Sequence, residues 1–314
     1  MELTRKESQL LFQLDQDSRR SNLELARRLR VSKNTVTVMI ERLKKAGVIQ
    51  GFYAVIDVGK LGYRGVRVYV KLRQCPPRKR GEILGYLARN DMAWWVGNVE
   101  GEFDIGIVVW IQEAVEFEGF WKEFEGKFHK YLGRACISAY TGLYDGTFGF
   151  LESSLERKVH HIGSYSKLEV TKNELAVLKA ISGDARATTV SLALRLSLSP
   201  LTVKECLRRL RGKGVIKGFR ARLDLSILGY AVYKMNFQVS DLLARGRMLS
   251  YALERPNVIF VDESIGFADL EVSVACKSHI EFRAFLDEFL GKFSKSISDH
   301  NYFIYLKVHK IKHI

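Results

Sequence analysis

Several protein classes are excluded by what this chain lacks. Its 314 residues include only four cysteines, Cys75, Cys136, Cys206 and Cys276. They stand far apart, with no Cys-x-x-Cys pair and no histidine at ligand spacing. That argues against a disulfide framework or a zinc knuckle and predicts free buried thiols. Long hydrophobic runs are also missing, and residues 105–111, the clearest apolar stretch, fall far short of the roughly 20 residues a spanning helix needs. The opening MELTRKESQLLF is charged and passes straight into an amphipathic pattern, so it does not read as a signal peptide. No carboxylate or histidine cluster suits acid–base work, and adjacent His160 and His161 are poorly placed to share an ion. The expectation is a cytoplasmic, nucleoid-associated chain that is not an enzyme, with no catalytic residue, cofactor, metal or membrane partner.

What the chain does have is apolar content for real cores, at 47%, and a net charge of +15. That charge is localised. Residues 1–64 carry 13 Lys/Arg against 7 Asp/Glu and residues 168–230 carry 12 against 5, while residues 65–150 balance at 11 against 11. Two separate basic segments point to a polyanion that meets both, because phosphate neutralisation needs clustered cations.

The same two segments are copies of each other. Residues 31–52, VSKNTVTVMIERLKKAGVIQGF, return without a gap as residues 198–219, LSPLTVKECLRRLRGKGVIKGF. Thr4 and Glu7 match Thr171 and Glu174, Asp17 matches Asp184, and Leu61-Gly62-Tyr63 matches Leu228-Gly229-Tyr230. A register of about 167 residues held through irregular positions means a duplicated unit.

Within each unit, Thr4 and Glu7 have capping-box spacing ahead of a first helix with Leu10, Leu11 and Leu14. A short second helix from Ser21 or Asn22 is read with Leu23, Leu25, Ala26 and Leu29 facing inward. Ser32 caps a third helix whose Val36, Ile40 and Leu43 form the inner stripe, and Gly47 stops it before a strand at residues 48–52. Three helices, a tight turn and a strand describe a helix-turn-helix, winged or plain. Its reading helix turns Ser32, Lys33, Asn34, Thr35, Thr37, Val38 and Arg42 toward double-stranded DNA in the first copy. The second copy offers Ser199, Pro200, Leu201, Thr202, Lys204 and Arg208. From Gly65 the pattern changes to strand, helix, strand, strand, helix, strand, a ferredoxin-like βαββαβ unit with both helices on one face of its sheet. Val66, Val68 and Val70 alternate there with polar residues, and Phe117, Phe120, Trp121, Phe124 and Phe128 supply the helix side of the core.

Four motifs, in the same order in both copies, resemble the Lrp/AsnC family of transcription regulators. They are Ser32-x-x-Thr35-Val36, Gly47-Val48-Ile49-x-Gly51-Phe52, Leu61-Gly62-Tyr63 and Gly101-Glu102-Phe103-Asp104. The second copy has Ser199-x-x-Thr202-Val203, Gly214-Val215-Ile216-x-Gly218-Phe219, Leu228-Gly229-Tyr230 and Gly266-Phe267-Ala268-Asp269. The resemblance implies an α+β chain in which a winged-helix-like DNA-binding head and a ferredoxin-like RAM domain each occur twice. The expected boundaries are heads at 1–50 and 168–217, hinge strands at 51–64 and 218–231, RAM-like domains at 65–150 and 232–314, and a semi-flexible polar linker at 151–167. It also implies homo-oligomers built through the βαββαβ domains and an amino-acid effector near Gly101, Asp104, Gly266 and Asp269.

The chain departs from the family pattern where an arginine usually precedes the inner isoleucine of the reading helix. Met39 stands there in one copy and Cys206 in the other. The groove-facing residues also differ between copies, so the expected operator is asymmetric, read by a covalent pseudo-dimer with two unequal heads. Two rivals share the sequence features. One resembles siroheme decarboxylases, which have the same plan, with His129 and His300 read as lying near the ends of the last helices. The other is an architectural protein that coats DNA without sequence preference.

Overall fold

The computed structural model describes residues 1–164, 166–311 and 314. Head 1 is α1 (Arg5–Gln16), α2 (Asn22–Leu29) and α3 (Lys33–Lys45), followed by β1 (Ile49–Ile56). The capping box forms as expected: Thr4 N donates to Glu7 Oε2 at 2.9 Å and Glu7 N donates to Thr4 Oγ1 at 3.3 Å. Gly47 adopts φ +77°, a left-handed conformation that suits glycine and ends α3. Val36, Ile40 and Leu43 are buried, as are Leu25, Ala26 and Leu29, but Leu23 is 49% exposed. The 3.6-residue period puts Leu25 and Leu29 on the inner face and turns Leu23 outward.

The first body follows as β2 (Arg64–Leu72), α4 (Pro77–Arg89), β3 (Ala93–Gly101), β4 (Ile105–Ile111), α5 (Ala114–Phe128) and the 15-residue β5 (Leu132–Gly146). The segment expected to be a flexible linker contains a strand, β6 (Val159–Ile162), which pairs antiparallel with the end of β5. The second copy repeats the plan: α6 (Lys172–Ser182), α7 (Thr189–Leu196), α8 (Pro200–Gly212), β7 (Ile216–Leu223), β8 (Ala231–Val239), α9 (Leu242–Glu254), β9 (Val258–Gly266), β10 (Leu270–Cys276), α10 (His279–Phe293) and β11 (Ile297–Ile311). His129 caps α5 as read, but His300 lies on β11, so the two are not equivalent.

Each body has its own four strands, in the orders β5-β2-β4-β3 and β11-β8-β10-β9. The two sheets also join through β5–β9 and β11–β3. Because β5 bonds to β2 as well as β9, the eight strands close into a ring, with β6 appended. The closed ring turns one face of its strands inward. Val66, Val68 and Val70 pack under α4 and α5, and the alternate residues Arg67 and Tyr69, read from the sequence as the polar side, are buried against the opposite sheet. Cys206 and Cys276 are buried, whereas Cys75 and Cys136 are partly exposed.

Candidate nucleic-acid interface

The hinge strands fix the geometry of the heads. β1 and β7 pair antiparallel with Tyr53 opposite Arg220, Phe52 opposite Ala221 and Ala54 opposite Phe219. Tyr53 and Arg220 are equivalent residues of the two copies, so a pseudo-two-fold axis passes between them. Contacts repeat about this axis: Ser18 N donates to Phe219 O at 2.9 Å, and its counterpart Ala185 N donates to Phe52 O at 3.0 Å. The heads also touch directly. Arg19 Nη1 donates to Ala185 O at 2.7 Å, and the equivalent Arg186 donates through Nη2 to Asn22 Oδ1 at 2.9 Å.

Both reading helices start identically. Ser32 Oγ accepts from Thr35 N and Ser199 Oγ accepts from Thr202 N, each at 3.0 Å, and the Ser–Thr hydroxyls lie 2.8 Å apart in both copies. The hydroxyls of these four predicted contact residues are therefore engaged in capping. Lys33, Asn34, Thr37 and Val38 are exposed on α3, as are Pro200, Leu201 and Lys204 on α8. Thr37 Oγ1 accepts from Asn22 Nδ2 at 3.0 Å, which leaves Lys33 and Asn34 as the polar side chains at the tip of α3 without a hydrogen bond or ion pair among the described residues. Arg42 is half exposed and pairs with the capping Glu7 at 2.9 Å, and Arg208 pairs with Glu205 at 2.8 Å. Head 2 presents apolar side chains where head 1 is polar: Leu194 is 78% and Leu201 69% exposed, at the positions of Arg27 and Asn34.

The turns expected to meet an effector lie against the opposite repeat. Gly101 pairs with Phe303 of β11, and Gly266 pairs with Ser138 of β5. Gly266 has φ +127°, and a Cβ there would come within 2.4 Å of the Ile137 carbonyl oxygen, so the close approach of β5 requires glycine. Asp104 Oδ2 accepts from Leu72 N and Asp269 Oδ2 from Val239 N, both at 2.8 Å. Each aspartate thus closes the end of its own domain's first strand.

Two buried charge clusters escaped the sequence reading. Arg220, fully buried on β7, forms a two-pronged pair with Asp15 of α1, both bonds at 2.8 Å, and also bonds Asp145 of β5. Phe148 N donates to the same Asp15 at 2.7 Å. Burial pushes the Asp145 carboxyl up to about 7 despite Arg220. Opposite Asp145 on β6, His160 is buried, and burial plus the nearby cations Arg220, Lys158 and Lys217 lower it to about 4. His161 points to the other face of the strand and stacks on Tyr144 at 4.7 Å. Alternation along β6 thus separates the paired histidines, and among the described residues no cluster of three metal-ligating side chains occurs.

The second cluster lies between the sheets. Arg67 Nη2 donates to Asp262 Oδ2 at 2.9 Å, and Arg67 also pairs with Glu271. Lys234 pairs with Asp262 and lies 3.4 Å from Glu271, and Tyr69 OH donates to Glu271 Oε2 at 3.0 Å. Burial and the neighbouring Arg67 lower Lys234 to about 7. Burial opposes the charge on Asp262, but Lys234 and Arg67 outweigh it and hold its carboxyl below the usual range. The copy comparison, which aligns Arg67 with Lys234, carries the signal, but strand alternation places such residues on a polar face without telling what covers it.

The winged helix-turn-helix DNA-binding family model matches residues 3–50 and again residues 171–217. An HTH-type transcriptional regulator of Pyrococcus furiosus is 33% identical over 121 residues, which span 38% of this chain and 80% of the relative. Escherichia coli AsnC overlays 47% of this chain and 99% of its own at 19% identity and a TM-score of 0.41. Siroheme decarboxylase NirDL overlays 98% of this chain and 93% of its own at 14% identity and a TM-score of 0.66. The expectation that the chain is not an enzyme is corrected by this last match, since the whole two-unit fold is also the fold of a decarboxylase. No helix among the described residues is long and apolar enough to cross a membrane. By its sequence the chain belongs to the HTH-type transcriptional regulators, with their winged helix-turn-helix present twice.

Proposed function

We propose that the chain regulates transcription as a covalent pseudo-dimer, its two heads reading two unlike half-sites of one asymmetric operator. The carrying observation is the β1–β7 pairing centred on Tyr53 and Arg220, which relates the reading helices by a two-fold axis as two half-sites on duplex DNA require. Asn34 suits the paired acceptor and donor of adenine, whereas Leu201 suits the methyl group of thymine. The proposed DNA contacts are the exposed residues of α3 and α8, with Arg42 and Arg208 exchanging their own carboxylates for phosphates. An amino-acid-class effector at the Gly101–Asp104 and Gly266–Asp269 turns would act on the seam between the repeats, because each turn is lodged on the other repeat's long strand. Selection of binding sites from random duplex DNA, with and without an amino-acid pool, tests the proposal. The expected result is a single asymmetric site; a perfect palindrome, or uniform affinity for unrelated sequences, refutes it.

A second reading, an enzyme acting on a tetrapyrrole, is favoured by the whole-chain likeness to siroheme decarboxylase NirDL. Titration with an iron-uroporphyrin separates the two. A shifted Soret band without DNA binding supports the enzyme, and DNA binding without a spectral change supports the regulator.

A further inference from the structure

The cluster between the sheets is built from unlike contributions. Arg67 on β2 and Lys234 on β8 are equivalent residues, each facing inward. The two carboxylates come from repeat 2 alone: Asp262 and Glu271 are directly paired across β9 and β10. The equivalent pair in repeat 1, across β3 and β4, is Gly97 opposite Gly106. The space a side chain would need there is filled. A Cβ on Gly97 would meet the Trp95 ring at 2.2 Å, and one on Gly106 would meet it at 2.8 Å. At this level the inward face of repeat 1 therefore carries one cation and no carboxylate, and that of repeat 2 one cation and two carboxylates; the other buried carboxylate of repeat 1, Asp145 on β5, is held by Arg220 of repeat 2.

We infer that this seam is a pairing code: it admits repeat 1 against repeat 2 and excludes repeat 1 against a second repeat 1. Joined to repeat 2, Arg67 reaches Asp262 and Glu271, and two cations face two carboxylates. A like pair of repeat 1 would bury two arginines with no carboxylate at their level and would also take Asp15 and Asp145 away from Arg220. A like pair of repeat 2 would set four carboxylates against two lysines. A buried charge without its partner is strongly destabilising. Since every chain supplies the two repeats in equal number, excluding the first like pair is enough to force unlike pairing throughout. The kind of partner the face of repeat 1 accepts is thus a domain with an acidic pair at the positions of Asp262 and Glu271, and single-unit relatives lacking that pair are rejected. Assembly beyond one chain must use other surfaces. The inference concerns the bodies and stands whether or not the heads bind DNA.

The test begins with the full chain carrying a protease site at the exposed Ser153-Ser154. After cleavage, two preparations differing in isotope label are mixed, unfolded in guanidinium, refolded together and read by native mass spectrometry. The expected product is repeat 1 with repeat 2, labels scrambled, with like pairs about a hundredfold below their statistical share. Like pairs near the statistical share overturn the inference. The same experiment on the nicked R67M/K234M/D262L/E271M chain asks whether the charges are responsible. Neutral residues of similar volume often keep or raise the stability of such sites, so this protein is expected to refold and to form like pairs more often than the unsubstituted chain, although the Asp15 and Asp145 pairs with Arg220 still favour unlike pairing. Like pairs no more frequent than in the unsubstituted chain overturn the assignment to these four residues. If the variant does not refold, the unsubstituted nicked chain still decides between unlike and statistical pairing.

Discussion

The two heads share a sequence plan but are held to the body differently. Head 1 is fastened by charge: Asp15 grips Arg220 and the Phe148 amide, Gln16 Nε2 donates to Thr147 Oγ1 at 3.0 Å, and Ser8 Oγ donates to Leu151 O at 2.6 Å. In head 2, Asp15 is replaced by Ser182, whose hydroxyl turns back to Lys179 O at 2.8 Å, and Tyr53 occupies the position of Arg220. Head 2 lacks that buried pair, and beside apolar packing and the backbone bonds both heads share it is tied by Lys217 to Asp57 at 3.5 Å and by Lys60 Nζ donating to Lys213 O at 2.6 Å. Duplication copied the contacts that form each head and diverged in those that attach it.

The largest expected effect comes from breaking the fastened side. Arg220→Met leaves Asp15 and Asp145 buried without their cation and is expected to cost about 3–5 kcal/mol in denaturant unfolding at pH 8. Ser182→Ala, at the place of Asp15 in head 2, is expected to cost under about 1 kcal/mol. Equal losses would erase the distinction between a bolted head and a packed one.

The pH dependence sharpens the same comparison. His160 stays neutral in the fold down to about 4, against an ordinary 6.5, so the unfolded chain takes up the proton first. The stability it contributes is present above pH 6.5 and is lost as the pH falls toward 4. Asp145 has the opposite sign: the fold keeps its proton up to about 7, so stability falls as the pH rises from about 4 to 7. In the wild type the two slopes offset. His160→Gln should expose a loss of about 3 kcal/mol between pH 4 and 6.5, read from unfolding midpoints. A flat profile in the variant counts against the pairing of Asp145 with His160.

Reading differences should be smaller and local. Asn34→Leu is expected to relax selection at one position of the first half-site by about 1–3 kcal/mol, and Leu201→Asn to make the selected operator more symmetric. No change in either selected site would mean that the helix tips do not read bases. Least of all, Arg42→Ala or Arg208→Ala should weaken binding to all sequences alike and lower the slope of affinity against salt by about 1.

Much of the fold was legible because it is local. Capping boxes, the Val36, Ile40, Leu43 stripe and the glycine stops depend on residues a few positions apart. What escaped depends on distant residues. Leu23 was assigned to the core from hydrophobicity alone, and only packing shows that it faces out. Arg67 and Lys234 obey strand alternation, but alternation does not tell whether the polar face meets water or a second sheet. His160 lies in a polar stretch that reads as a tether until β5 offers it an edge. The reading helices themselves were legible in both copies, whereas the fastening of head 1 joins residues 205 positions apart.

The closed ring also sets an order of events during synthesis. β3 presents one edge to β11, and the pairs range from Gly101 with Phe303 to Trp95 with Ile311. At ribosomal speeds of about 5–20 residues per second, that edge waits roughly 10–40 s for its partner. For that time a newly made first repeat exposes an unpaired strand bearing Trp95 and Val99, so nascent chains on one messenger stay adhesive until the last strand of the second repeat is made.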